Sequence, residues 1–241
     1  MKALLGIMHP RRLDFFMKSL ESIDYMDILL AKNYPIIEAQ NRVRDFFLKH
    51  DYDILIFTSD DVMIPYLAPL RIKQDMEILG HDIITGYSII RPRRREVNIT
   101  RNMPYRLDRR LDKPVFLHQY GFLKIDDVYR LIAQGEYIIR VFFVGWSLTG
   151  MTREVVKAWT PRGWYFQTTP PYHNTHKGRK GFWASSDLWF SYQAFKNGFR
   201  AYADLTVHVP HYPPNPIERT NVLLVGKEKP QLEFRTAKKE I

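Results

Sequence analysis

The segment richest in usable chemistry is D-Y-D-I-L-I-F-T-S-D-D-V-M-I-P, residues 51–65. Its uninterrupted apolar run, Ile54 to Phe57, reads as a buried strand that delivers two adjacent carboxylates, Asp60 and Asp61, to its C-terminal end. In open α/β sheets, ligands gather at the carboxyl ends of the strands. Carboxylates placed there suit a hard divalent cation that also touches phosphate oxygens. A plainer reading fits the same residues, as turn or cap positions ahead of a helix beginning near Pro65. The chain has no cysteine. Disulfides, thiolate nucleophiles and cysteine-ligated zinc are therefore excluded, and any metal must be held by carboxylate, imidazole or water.

Such carboxylates need a sheet behind them, and the first half of the chain supplies one. Residues 2–8 read as a strand, 10–23 as a helix with Pro10 in its first turn, 26–31 as a strand and 36–50 as a helix. The strand at 53–57 follows, then a helix over 65–79 closed by Gly80, then a strand at 82–85. This alternation predicts a single α/β domain over residues 1–212, a Rossmann-like, mainly parallel sheet flanked by helices with right-handed crossovers. Residues 91–112 form a basic excursion. Its run R-P-R-R-R-E-V-N-I-T-R-N-M-P-Y-R-L-D-R-R, residues 91–110, has poor periodicity and reads as a long loop. Strands are expected again at 115–123 and 137–144, a helix at 153–159, a helix at 185–197 closed by Gly198, and two short strands at 199–203 and 206–209. Residues 213–241 read as a proline-containing tail of mixed polar character.

The chain's 241 residues suit one large domain, and its 45% hydrophobic content is enough for a core. The net charge of +10 favours polyanionic partners: nucleic acid, anionic lipid headgroups or phosphorylated small molecules. No apolar stretch is long enough for a transmembrane helix, and the N-terminus reads as a strand rather than a signal peptide. A cytoplasmic protein, with possible peripheral contact to an anionic membrane through the arginine run, is the expectation.

Four segments in order resemble the motifs of GT-A glycosyltransferases, and the family 2-like group in particular. In that family an apolar strand ends in Asp-x-Asp; here Ser59 takes the first position, Asp60 the middle and Asp61 the last. Upstream, E-A-Q-N-R-V-R-D-F-F-L resembles the helix that carries an Arg-Asn pair near the donor base, with the order reversed as Asn41-Arg42. Downstream, V-G-W-S-L-T-G-M-T-R-E-V resembles a strand-turn-helix segment that lines the donor-sugar and acceptor site. Gly145, Arg153, Glu154 and Val155 match it, while Ser147 and Thr152 depart from it. The segment from Ser185 to Asp204 resembles the family's Glu-Asp motif, with Asp187, Phe190, Gly198 and Asp204 matching and Ser186 in place of the Glu. The closing V-H-V-P-H-Y places His211 at the family's histidine, while His208 has the position of a structural strand residue.

This resemblance implies a metal-dependent transferase that uses a nucleotide sugar, a UDP- or GDP-sugar, and an unidentified acceptor. Asp61 and His211 would hold Mn²⁺ or Mg²⁺, and Asp187 would be the base that takes the acceptor proton if the enzyme inverts configuration. Inversion and retention both stay open, and the plainer reading of Asp187 is a cap or first-turn acid of its helix. His9, Asn41, Arg42, Asp60, Gly145 and Trp146 would bind the donor. Trp146, Trp183 and Trp189 could stack on sugar faces or simply pack. Residues 170–181 have the composition of a lid or of an ordinary loop. Other readings stay open. A nucleotidyltransferase would share the sheet and acidic site, but usually has a Gly-rich phosphate loop near the N-terminus, and I-M-H-P-R-R is not one. A non-catalytic nucleic-acid- or membrane-binding protein on the same scaffold would explain the charge but not the paired aspartates; no nucleic acid is expected as partner. An inactive scaffold is compatible with Ser59 and Ser186.

Overall fold

A computed structural model describes residues 1–9, 14–102, 105–108, 113–116, 121–161, 186–212 and 229–238. The order along the chain begins β1 (Ala3–His9), α1 (Asp14–Glu21), β2 (Asp27–Lys32), α2 (Ile36–Lys49), β3 (Ile54–Ser59), α3 (Ala68–Leu79) and β4 (Ile83–Tyr87). β2 and β3 flank β1, both parallel to it. All three strands are apolar nearly throughout, as strands covered on both faces must be. Alternate residues feed two cores. Leu4, Met8, Leu29, Leu55 and Phe57 face Val43 and Phe47 of α2, while Leu5, Ile7, Ile28, Leu30, Ile54 and Ile56 face α1 and α3 through Phe16, Leu20, Ile72 and Met76. α3 ends at Gly80, whose φ of +63° is the left-handed cap that glycine adopts without strain.

The sheet is completed by β9 (Ile138–Val141), β10 (Thr149–Thr152), β11 (Ala201–His208) and β12 (Gln231–Arg235), in the order β12-β2-β1-β3-β10-β4-β11-β9. The three helices α4 (Ile125–Ala133), α5 (Arg153–Ala158) and α6 (Ser186–Lys196) lie on the same side as α2, since their buried residues join its core. Five of the eight strands run one way; β9, β10 and β12 oppose them. Strand order turns at β1, where the chain first moves outward to β2 and then crosses back to β3. The carboxyl ends of β1, β3, β4 and β11 therefore share one edge, which is where a ligand crevice forms in such sheets. Among the described residues no helix is long and apolar enough to cross a membrane.

Four elements differ from the expectation. Residues 91–110 are not one long loop. β5 (Ile89–Arg91), a 3-10 turn at Pro92–Arg94 and β6 (Glu96–Val97) form a small hairpin, and β7 (Tyr105–Asp108) pairs with β8 (Lys113–Phe116). Strands of two to four residues carry too few alternations for a period to register. Of the strand expected over 115–123, residues 115–116 belong to β8, residues 121–123 are not strand, and 117–120 lie outside the described residues. The two strands expected over 199–209 are one, β11, with an irregularity between Ala203 and His208. Asp204 interrupts its apolar pattern, yet that carboxylate is fully buried because Arg71 Nε at 3.1 Å and the N–H and hydroxyl of Thr206, each at 2.7 Å, satisfy it. Finally, β12 emerges from the polar tail and pairs with β2, its amphipathic strand visible only once β2 is there to receive it.

Candidate active site at the carboxyl edge of the sheet

Asp60 and Asp61 follow directly on β3 and have different surroundings. Asp60 is fully buried, whereas the Asp61 side chain keeps 18% of its surface exposed. Its backbone is tied to the segment after β11: Tyr212 N–H donates to the Asp61 carbonyl at 2.7 Å, Met63 N–H to the Pro210 carbonyl at 2.8 Å, and Val62 bridges His211. These bonds bring the His211 imidazole beside the carboxylate, with Nε2 3.3 Å from Asp61 Oδ2 across 150 residues of chain. On its other oxygen Asp61 accepts a hydrogen bond from the Ser59 hydroxyl. The departure at Ser59 from Asp-x-Asp therefore puts a donor where a third carboxylate would repel, and the donor orients Asp61.

The pair fits a divalent cation by its donor chemistry. Two ligands bonded at about 2.1 Å and near a right angle stand about 3.0 Å apart, close to the spacing found. Because an ionised carboxylate only accepts, His211 Nε2 carries the proton in this contact, and a cation bound between the two groups would displace it; Nδ1 is buried with no hydrogen-bond partner among the described residues. Among the described residues no cluster of three or more His, Asp or Glu side chains forms. A cation here would complete its shell with water and ligand oxygens, as Mg²⁺ commonly does.

The turn before β10 closes over the end of β3. Ser59 N–H donates to the Trp146 carbonyl at 3.1 Å, and Thr58 Oγ1 donates to the Ser147 carbonyl. Trp146 itself is 7% exposed, and its ring packs among Phe57, Trp159 and Phe190. The structure thus places it in the core at the margin of the site, and Trp189 likewise packs on Tyr192 and donates to the Thr160 carbonyl. Trp146 Nε1 donates to Ser186 Oγ at 2.9 Å, and Gln40 Nε2 donates to the same oxygen at 2.8 Å. Ser186 opens α6, so these two bonds fix the start of the helix whose second residue is Asp187. The Asp187 carboxylate accepts the free N–H of Leu188 at 2.8 Å, the first-turn role its position allows.

Gly145 owes its identity to Asn98. A Cβ at 145 would stand 2.3 Å from Asn98 Nδ2. Asn98 is the hub of a buried polar network. It accepts from Ser88 N–H at 2.7 Å and donates to Ser147 Oγ at 2.7 Å; Ser88 Oγ gives its one proton to the Val209 carbonyl and accepts from the Ser147 hydroxyl at 2.6 Å. The network locks the ends of β4 and β11 to the turn at 145–147. Sequence reasoning missed Ser88, Asn98, Gln40 and Ser147 as site-building residues, because a buried Ser or Asn looks like a surface one until its partners are known.

The remaining sequence-derived candidates have other partners. Asn41 and Arg42 are engaged within α2, Asn41 with the Ile37 carbonyl at 3.0 Å and Arg42 with Glu38 at 3.2 Å; Gln40 is the side chain of this helix that reaches the sheet edge. Arg153 does not line the site. Its neighbour Thr152 pairs with Ile54, at the opposite end of β3 from Asp61. There its guanidinium donates to the carbonyls of His50 and Tyr52, each at 2.9 Å, and of Leu48 at 2.6 Å, capping the C-terminus of α2. His9 closes β1 in register with Lys32, and its side chain lies outside the described set, as do Trp183 and residues 170–181.

Asp204 pairs with α3. Arg71 Nε lies between it and Asp75, 3.3 Å from the latter. Burial, with the Asp204 hydrogen bond and charge added, pushes the Asp75 carboxyl up to about 7 against the pull of Arg71. Burial also pushes Asp204 upward, but hydrogen bonds from Asp75, Thr206 and Arg71 outweigh it and hold that group below the usual carboxylate range. The pair therefore holds one proton near neutrality.

No protein-family model matches the chain, and no curated protein matches it. Among solved structures it is similar to A197 from STIV, at 14% identity over 89% of this chain and 96% of that one, with a TM-score of 0.47. It is also similar to a CMP:2-keto-3-deoxy-manno-octonic acid synthetase complexed with CTP, at 12% identity over 95% of this chain and all of the other, with a TM-score of 0.46. Likeness at this level says nothing about substrate or reaction.

Proposed function

We propose that this protein is a divalent-cation-dependent glycosyltransferase that takes its sugar from a nucleotide-diphosphate donor, a UDP- or GDP-sugar, and passes it to an acceptor hydroxyl. The observation that carries the reading is the meeting of Asp61 and His211, remote in sequence, at the carboxyl edge of the sheet. These two side chains would hold Mg²⁺ or Mn²⁺, the imidazole tilting the preference toward Mn²⁺. When bound, such a cation offsets the negative charge that grows on a leaving diphosphate.

The rest falls to the chain's own groups. Ser59 holds Asp61 in the rotamer that faces His211. Gln40 and Trp146 hold Ser186, and so the first turn of α6. Asp187 on that turn takes the proton of the acceptor hydroxyl as its oxygen bonds to the anomeric carbon. The anomeric C–O bond breaks with its electron pair leaving on the diphosphate, and configuration inverts.

Calorimetry with UDP and GDP, with and without Mn²⁺, tests the reading, followed by transfer assays with a panel of nucleotide sugars. The expected result is nucleotide binding that requires Mn²⁺ and weakens at least ~10-fold in Asp61→Ala, the usual scale for damage to a metal site, while that variant melts like its parent. Binding indifferent to both metal and Asp61 would overturn it. Exchange of pyrophosphate into a nucleoside triphosphate, without sugar transfer, would make the protein a nucleotidyltransferase instead.

A further inference from the structure

The eight-stranded sheet ends at β12, and among the described residues no strand pairs with its outer side. One side of β12 is occupied by β2 over five residue pairs, from Gln231↔Lys32 to Arg235↔Ile28. The backbone groups of alternate residues point the other way, the arrangement that invites a further strand. Natural edges are usually blunted by charge, bulges or short length. This one carries two large apolar side chains on the α2 side, Leu232 at 41% and Phe234 at 44% exposure, with Phe234 resting on Phe46 at 5.3 Å between ring centroids. Its other face carries Glu233 and Arg235, 2.6 Å apart along the strand, with Lys32 also on Glu233.

We propose that β12 is a self-association edge: β12 of one copy pairs antiparallel with β12 of a second, joining the two sheets about a two-fold axis through Phe234. Side chains alternate between faces, so a two-fold axis perpendicular to a continuous sheet passes through a residue and never between two. An axis at Glu233 would set Glu233 against its own copy, and like charges directly opposite are unfavourable. An axis at Phe234 sets Phe234 against Phe234, Leu232 against Thr236, and Glu233 against Arg235 twice. The strand E-F-R is thus complementary to itself in one register. The partner this edge fits is a second copy of the chain, whatever reaction the site performs.

The absence of native cysteine makes the register directly testable by single substitutions. Phe234→Cys, oxidised, is expected to give a disulfide-linked dimer as the main product. Thr236→Cys is expected to give little, because its copy would lie about 13 Å away, four strand residues off. Sedimentation velocity across the micromolar range should show a dimer in the parent chain. Phe234→Lys and Arg235→Glu, each with unchanged circular dichroism, should raise its dissociation constant at least ~10-fold, equivalent to about 1.4 kcal/mol. A parent chain that is monomeric throughout overturns the proposal. So does a dimer that ignores both substitutions, or cross-linking at 236 as efficient as at 234.

Discussion

Replacing Gly145 with alanine adds one methyl group in a place where the structure has none to spare. The new Cβ would stand 2.3 Å from Asn98 Nδ2, 3.1 Å from its Cγ and 3.3 Å from its Cβ. Asn98 is 5% exposed and held at both ends, by Ser88 N–H and by Ser147 Oγ, so it cannot swing into solvent. Gly145 is not among the residues with positive φ, which leaves sterics and hydrogen bonding as the cost. Overpacking is worth about 1–3 kcal/mol, and stranding one buried donor about 1–3 kcal/mol. Alanine returns about 0.4–1 kcal/mol by restricting the unfolded chain. The net expectation is a loss of about 1–5.5 kcal/mol, which at about 2–4 °C per kcal/mol lowers the melting temperature by roughly 2–20 °C. Thermal and urea unfolding of Gly145→Ala, Asn98→Ala and the double variant measure it. With Asn98 truncated the two closest contacts are gone and only its Cβ at 3.3 Å remains, so Gly145→Ala should cost much less there, a coupling of about 1 kcal/mol or more. If Gly145→Ala melts with the parent, or costs the same in both backgrounds, the close approach of Asn98 is not what reserves this position for glycine.

Asp187→Asn keeps the acceptor oxygen facing Leu188 N–H but removes basicity; transfer should slow by about 10²-fold or more with donor affinity unchanged in calorimetry, and near-normal transfer would place the base elsewhere. Arg153→Ala removes the guanidinium from four carbonyls around the end of α2, of which Phe47 and His50 keep a backbone N–H donor, and should lower stability by about 1–3 kcal/mol in denaturant, while metal-dependent nucleotide binding persists, since the residue lies at the far end of β3. Asp75 holds its proton to about pH 7 in the fold, well above an unfolded aspartate. The native state then binds the extra proton between those values, so this group's contribution is full below about pH 4 and is lost as pH rises through about 7. Asp75→Asn, a permanent mimic of the protonated form, should remove that decline, and melting curves from pH 5 to about pH 9 that fall equally in both proteins would disprove it.

What the sequence determined by itself is the layered frame and the place of its chemistry. Continuous apolar runs such as Ile54 to Phe57 have one cheap fate, a strand covered on both faces, and the helical spacing of Val43, Phe46 and Phe47 supplies a cover. The carboxylates after β3 follow from chain order alone, because a residue next to the end of a strand is at the edge of the sheet. What tertiary structure decided is everything that depends on a partner distant in sequence. It separated Asp60, sealed in the protein, from Asp61, left partly exposed beside His211. It assigned Gly145 to Asn98, moved Arg153 to a helix cap, and drew β12 out of a polar tail. It joined two expected strands into β11 by giving Asp204 the cation of Arg71. Each of these rests on hydrogen bonding or steric contact between elements. Local pattern records how a residue suits its own strand or helix, and carries no information on which other element will arrive to complete it.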